Sequence, residues 1–145
     1  MGGGAASGRR RPGTAVAVSG VSLYERVGGD RFFEELTNRF YAAVASDPVL
    51  RPLYPDDDAE LEASRRHLAL FLAQFWGGPK VYSEQRGHPR LRMRHSTFRI
   101  GPAERDAWLR HMRNAVQAAK LDPLDEMQLL SYLADAAEHL VNAPT

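Results

Sequence analysis

Few side chains in this sequence could bind a metal or polarise a ligand. There are five histidines (His67, His88, His95, His111 and His139) and no cysteine. No two histidines stand four residues apart and no HExxH occurs, which disfavours a zinc hydrolase. Without thiols there can be no disulfide, thiolate nucleophile, iron–sulfur cluster or thiolate-held metal. A single histidine serves a metal when a cofactor brings the other ligands, as the porphyrin nitrogens of haem do. His95 is best placed for that work. Leu91 lies one turn before it and Phe98 three residues after, so its imidazole can face an apolar cavity. Arg92, Arg94 and Arg99 would then reach the rim, where guanidinium groups suit carboxylates such as propionates. The competing reading is a core histidine satisfied by backbone, on an arginine-rich exposed helix.

Three aromatic side chains carry a polar tip. Tyr41 follows Phe40 on a helical apolar stripe and sits at its edge, where a phenol can donate into a cavity. A half-buried tyrosine with its hydroxyl in water is the alternative. Tyr54, between Leu53 and Pro55, reads equally as a packing plug under a loop. Trp108 has an indole N–H that only donates, and it reads equally as a core residue. Three donors meeting in one apolar cavity would be unusual, because each unpaired buried polar group costs about 1–3 kcal/mol.

The elements that must position these groups are helical. Val21 to Val27 form a short segment ended by Gly28 and Gly29. Asp30 is expected to cap a helix running to about Ala45, with Phe33, Leu36, Phe40 and Val44 inward. Pro48, Pro52 and Pro55 confine the next stretch to a short turn-like helix and a loop. Asp56 to Asp58 mark the start of a helix to about Trp76, with Leu61, Leu68, Phe71, Leu72 and Phe75 on its inner face. Gly77-Gly78-Pro79 stops it, and a long link leads to a short helix opening at His88-Pro89 that carries His95. Gly101-Pro102-Ala103-Glu104 opens another, with Trp108, Met112, Val116 and Ala119 as its inner stripe. Asp122-Pro123 opens the last, with Met127, Leu130, Leu133, Ala137, Leu140 and Val141 inward. No strand-like alternation and no repeat appears. The expected product is an all-α domain with two long antiparallel helix pairs.

Length and composition agree with one such domain. The chain has 145 residues and is 43% hydrophobic, enough for one core without staples. Residues 1–20, rich in Gly, Ala and Ser, read as a disordered basic tail, and residues 21–145 as the folded unit. Arg9, Arg10 and Arg11 could be taken for an export signal, but TAVAVSGVSL is too short and polar for the apolar region such a signal needs. The net charge is +1, and those three arginines supply more than that, so the folded part is slightly acidic. Nucleic acid is therefore not expected as the main partner, and no apolar run approaches a membrane span.

Several markers recur together over nearly the whole chain outside the tail. They are VGGDRFF, RFYAAVASDPVLRPLYPDDD, FLAQFWGGPKVYSEQRGHPRLRMRHSTFRI, ERDAWLRHM and HLVNAP. In this combination the sequence resembles the truncated haemoglobins, specifically their second group. The resemblance implies a shortened globin, a two-over-two helical sandwich around haem b. It implies His95 as the proximal iron ligand and Tyr41, Tyr54 and Trp108 as distal donors. It places Ser64 and Leu68 on the distal helix, with Phe71 and Leu72 a turn further on. Ser64 would leave an opening where larger globins place a histidine. Arg66 and His67, with Arg92 opposite, would reach the propionates, and Phe98 and Met112 would complete the cofactor's surroundings.

The function so implied is reversible binding of O₂ and related diatomic ligands, for carriage or sensing, in the cytoplasm. The alternative is a haem enzyme using bound O₂ or peroxide, in nitric oxide dioxygenation or a peroxidase-like reaction. The partners are then O₂, NO, CO or peroxide, a separate reductase for any turnover, and, as an option, a second copy of the chain. VGG and GGP are turns and not a dinucleotide-binding GxGxxG. A third alternative, a haem-free helical interaction module, applies if His95 is only structural.

Overall fold

The structure, a computed structural model, describes residues 21–90, 95 and 98–144. The tail, Leu91, Arg92 and Arg94 lie outside the described residues. Every regular element among the described residues is helical.

Helix α1 (Leu23–Val27) is capped by Ser22, whose side chain accepts from the Glu25 N–H, and it ends at Gly28 with φ +114°. It rests on the WGGP turn. The Tyr24 N–H donates to the Trp76 carbonyl at 3.0 Å. A Cβ on Gly78 would stand 2.6 Å from the Tyr24 ring and 2.8 Å from the Ala73 carbonyl, so only glycine lets α1 sit this close.

Helix α2 (Asp30–Ala45) buries Phe32, Phe33, Leu36, Thr37, Phe40 and Val44. Its N-cap is Gly29, not Asp30; Asp30 is already helical and contributes by its charge in the first turn. A 3₁₀ turn, Arg51–Leu53, follows. Helix α3 (Asp58–Phe75) is capped by Asp57, which accepts from the Glu60 N–H at 3.0 Å. Its buried residues are Arg65, Ala69, Leu72 and Ala73. The expected inner face is therefore rotated. Phe75 is 50% exposed and stacks on Tyr132 with ring centroids 4.1 Å apart, while the small Ala69 and Ala73 face the core.

Where a plain link was expected, helix α4 (Val81–Arg86) forms. It carries little apolar pattern, but Tyr82 is buried against Phe71. The Gln74 amide holds its first turn, accepting from the Ser83 N–H at 2.9 Å and donating to its hydroxyl at 2.6 Å. Helix α5 (Pro102–Gln117) begins with proline at its first position, and the Glu104 carboxylate accepts from the Gly101 N–H at 2.8 Å. Helix α6 (Pro123–Leu140) buries Leu129, Leu133 and Ala137. Met127, expected inward, is 57% exposed, and Leu129 takes the core position.

Helix α2 packs on α3, α5 packs on α6, and α2 also lies against α5. Two helix pairs are thus stacked, with Phe33, Leu36, Phe40, Met112, Val116 and Leu129 fully buried between them. Polar ties fix the register. Arg65 reaches Glu34 across the α2–α3 contact at 2.9 Å, Glu62 at 2.7 Å and the Thr37 hydroxyl at 3.0 Å. Its guanidinium is raised above its ordinary range, first by the Glu62 hydrogen bond. Arg39 donates twice to the Ala115 carbonyl, joining α2 to α5. No helix among the described residues is long and apolar enough to cross a membrane.

Candidate functional site

The three polar-tipped aromatics converge from three separate segments. Tyr41 stands on α2 beside the buried Phe40, Trp108 in the second turn of α5, and Tyr54 just after the 3₁₀ turn in extended backbone. Their rings form a chain that runs through Phe40. Phe40 meets Trp108 with centroids at 5.5 Å and Tyr41 at 5.5 Å, and Tyr41 meets Tyr54 at 5.4 Å, each pair edge to face. The Trp108 indole, a donor only, lowers the Tyr54 phenol against the rise that burial imposes on it. Burial pushes both phenols well above the ordinary tyrosine value of 10.0. Both nevertheless keep some accessible surface. Half-buried phenols so placed suit the wall of a ligand recess.

Helix α3 supplies the adjoining wall. Ser64, Leu68 and Phe71 are half-buried, while Leu72 is turned into the core. Arg66 is exposed. The half-buried His67 has its Nε2 3.5 Å from Arg86 Nη1 of α4. Met112 is fully buried in the core behind Trp108. His95 is half-buried in helical backbone. Its carbonyl accepts from the Phe98 N–H at 3.0 Å, and the two rings lie 6.4 Å apart. Phe98 is 40% exposed. Arg92 lies outside the described residues.

Some residues that shape this site have no sequence pattern of their own. Asp47, 7% exposed, accepts from Val49 N–H at 2.7 Å and Leu50 N–H at 3.3 Å through Oδ1, and its Oδ2 is 2.6 Å from His111 Nε2. His111 beside it holds its carboxyl below the usual range. Asn142, near the end of α6, clips the stretch that follows His95. Its side chain accepts from the Ile100 N–H at 2.8 Å and donates to the Phe98 carbonyl at 2.7 Å. The only sequence signal for Asn142 was its place in HLVNAP. For Asp47 there was only a position before proline.

The donor set fits haem. Among the described residues no cluster of three or more histidine, aspartate or glutamate side chains could hold a metal ion. A metal on His95 would take its remaining ligands from a macrocycle. A flat apolar group also suits an uncovered Phe98 beside an imidazole and the half-buried Leu68 and Phe71 on α3.

Residues 22–142 match the family of bacterial-like globins. The chain belongs to this family. Its relatives are more specific. It is 38% identical to the group 2 truncated hemoglobin of Bacillus subtilis over 119 residues, covering 82% of this chain and 87% of that one. Among solved structures, a thermostable hemoglobin from Thermobifida fusca is 54% identical with a TM-score of 0.82, over 86% of this chain and all of that one. The group II truncated hemoglobin from Bacillus anthracis is 37% identical with a TM-score of 0.81, over 86% of this chain and 99% of the other. The stacked helix pairs are those of a two-over-two truncated globin, and membership implies haem-based binding of small ligands.

Proposed function

We propose that this truncated globin is a cytoplasmic haem b protein that reversibly binds O₂, and also CO and NO, with residues 21–145 as the globin unit. The observation that supports this most is the chain of ring contacts from Trp108 through Phe40 and Tyr41 to Tyr54, which brings three donors from three segments together. Haem, when bound, supplies an open coordination position and the electron density that makes a diatomic ligand an acceptor of hydrogen bonds. The chain does the rest. His95 would hold the cofactor's metal through Nε2, with Nδ1–H given to a backbone carbonyl to fix the ring. Phe40, Leu68 and Phe71 exclude water, so each hydrogen bond in the recess is strengthened. A Trp108 N–H turned to the Tyr54 oxygen would leave the Tyr54 proton for the ligand. Ser64 keeps the distal wall small. Arg66 and His67, with Arg92 expected opposite, would pair with propionates at the rim, Phe98 would lie beside the cofactor, and the fully buried Met112 would back the site from the core and not line it.

The test is substitution of His95 by glycine. The parent should purify with a Soret band, His95→Gly should lose stable haem, and added imidazole should partly restore the spectrum. Ordinary haem retention and an unchanged ferrous spectrum in the glycine variant would discard the assignment. Mixing the reduced protein with O₂ and NO separates binding from catalysis. Slow O₂ return without NO consumption is the expected result. Rapid, repeated conversion of NO to nitrate with a reductase present would make it a dioxygenase.

A further inference from the structure

Outside the recess, one carboxylate touches two of the three segments that carry its donors and belongs to the third. Asp47 lies two residues past α2, the helix of Tyr41. Its Oδ1 takes the Val49 and Leu50 N–H groups and so opens the 3₁₀ turn that leads to Tyr54. Its carbonyl accepts from the Arg51 N–H at 2.8 Å. The Arg51 guanidinium in turn donates to the Tyr54 and Pro55 carbonyls at 3.3 and 2.8 Å. Its Oδ2 faces α5, where His111 Nε2 stands at 2.6 Å and Arg110 Nη2 at 3.4 Å. His111 is one turn beyond Trp108 on the same helix. We propose that Asp47 and His111 form a positioning pair that sets how closely the Trp108 indole approaches the Tyr54 phenol.

The geometry behind this is a closed circuit. On the inside, Tyr54 and Trp108 are joined through the edge-to-face rings of Tyr41 and Phe40, and the Trp108 indole bears on the Tyr54 phenol. On the outside, the segments bearing them meet through one carboxylate. The His111 side chain is 18% exposed and that of Asp47 is 7% exposed, so water competes weakly for the link. If it is cut, the loop of Tyr54 keeps its backbone turn but loses its fixed distance from α5. The inner contact is then free to lengthen, and a hydrogen bond weakens steeply with distance and angle. Phe40 cannot compensate, because an edge-to-face ring contact tolerates sliding that an N–H···O contact does not. The effect on ligand release rests on the reading of Tyr54 and Trp108 as donors; the approach of the two side chains does not.

The two tryptophans make the experiment self-controlled. The Trp76 indole Nε1 is buried with no hydrogen-bond partner among the described residues, whereas the Trp108 indole acts on the Tyr54 phenol. In the ferrous CO-bound protein, ¹H–¹⁵N spectra should show two indole signals, with Trp108→Phe assigning them. In His111→Leu the Trp108 indole proton should move toward the unbonded position and exchange with solvent faster, while Trp76 stays put. O₂ release should speed up roughly fivefold, the effect of weakening one neutral hydrogen bond. His111→Gln, which keeps a donor facing Asp47, should recover both readouts, and Asp47→Asn should shift them less in the same direction. An unmoved Trp108 signal in both His111→Leu and Asp47→Asn would overturn the proposal, as would His111→Gln behaving like His111→Leu. A moved indole signal with O₂ release unchanged, in these variants and in Trp108→Phe, would keep the positioning pair and discard the donor reading. Faster O₂ release in Trp108→Phe beside an unmoved indole in His111→Leu would do the reverse.

Discussion

Tyr41, Tyr54 and Trp108 stand on segments whose other faces are core, whereas most described residues around His95 are exposed. On the first side, Phe40, Met112 and Val116 are fully buried, and Arg39, Arg65 and Asp47 add side-chain ties between elements. On the second, the described neighbours His88, Arg90, Phe98 and Arg99 are exposed, and the Asn142 clip is a tie among the described residues. The protein's own core builds the donor geometry before any ligand arrives. On the proposed reading, a flat apolar group would cover the described residues beside the histidine. Selectivity for the ligand would then be a property of the apoprotein, and retention of the cofactor a property of the complex.

Removing haem gives the comparison its largest test. Whatever binds only the folded form stabilises it by mass action. Amide exchange in the apoprotein should therefore accelerate by orders of magnitude over residues 88–99 and change little over α2 and α5. Equal acceleration in both regions would mean that the donor side, too, is assembled by the cofactor.

Replacing Trp108 sharpens the comparison from the other side. Trp108→Phe should retain haem as the parent does and speed O₂ release by roughly tenfold to a hundredfold, the scale of losing a hydrogen bond to a polarised acceptor. CO, a weaker acceptor, should be released at a rate closer to the parent's. Equal small changes for both gases would assign Trp108 to packing, and a large effect confined to Tyr41→Phe would make that phenol the principal donor.

Much of the donor side was legible because its residues lie on long amphipathic helices. Tyr41 next to Phe40, and Trp108 one turn before Met112, inherit their direction from a stripe that burial enforces. Phase is read less well than period. Phe75 and Met127 both fit an apolar stripe, but α3 faces α2 with Ala69 and Ala73 and α6 buries Leu129, leaving both outside. Helix α4 was missed because six residues with one buried side chain carry no period, and the Gln74 amide that holds it lies on another helix. Asp47 and His111 are 64 residues apart, and only the packing of α2 on α5 brings them together.

The smallest expected effect is an absence of one. Burial raises Tyr41 and Tyr54 far above 10.0, so both phenols keep their protons across the working range and remain donors. The O₂ release rate should therefore be flat from pH 6 to about pH 10, where an ordinary tyrosine would ionise. A rise near pH 10 that disappears in Tyr54→Phe would show that water reaches the recess and that its enclosure depends on the cofactor after all.

The Asn142 clip has a mechanical side. Its backbone N–H also donates to the Ile100 carbonyl at 2.8 Å, as does that of Ala143 at 3.1 Å, so the strand of contacts runs both ways between residue 100 and the stretch after α6. Tension applied along the chain beyond Ala143 would be passed to Phe98, and so to the backbone of His95, without crossing the helical core. The grip on the cofactor and the far end of the globin unit are linked like a lever and its cable.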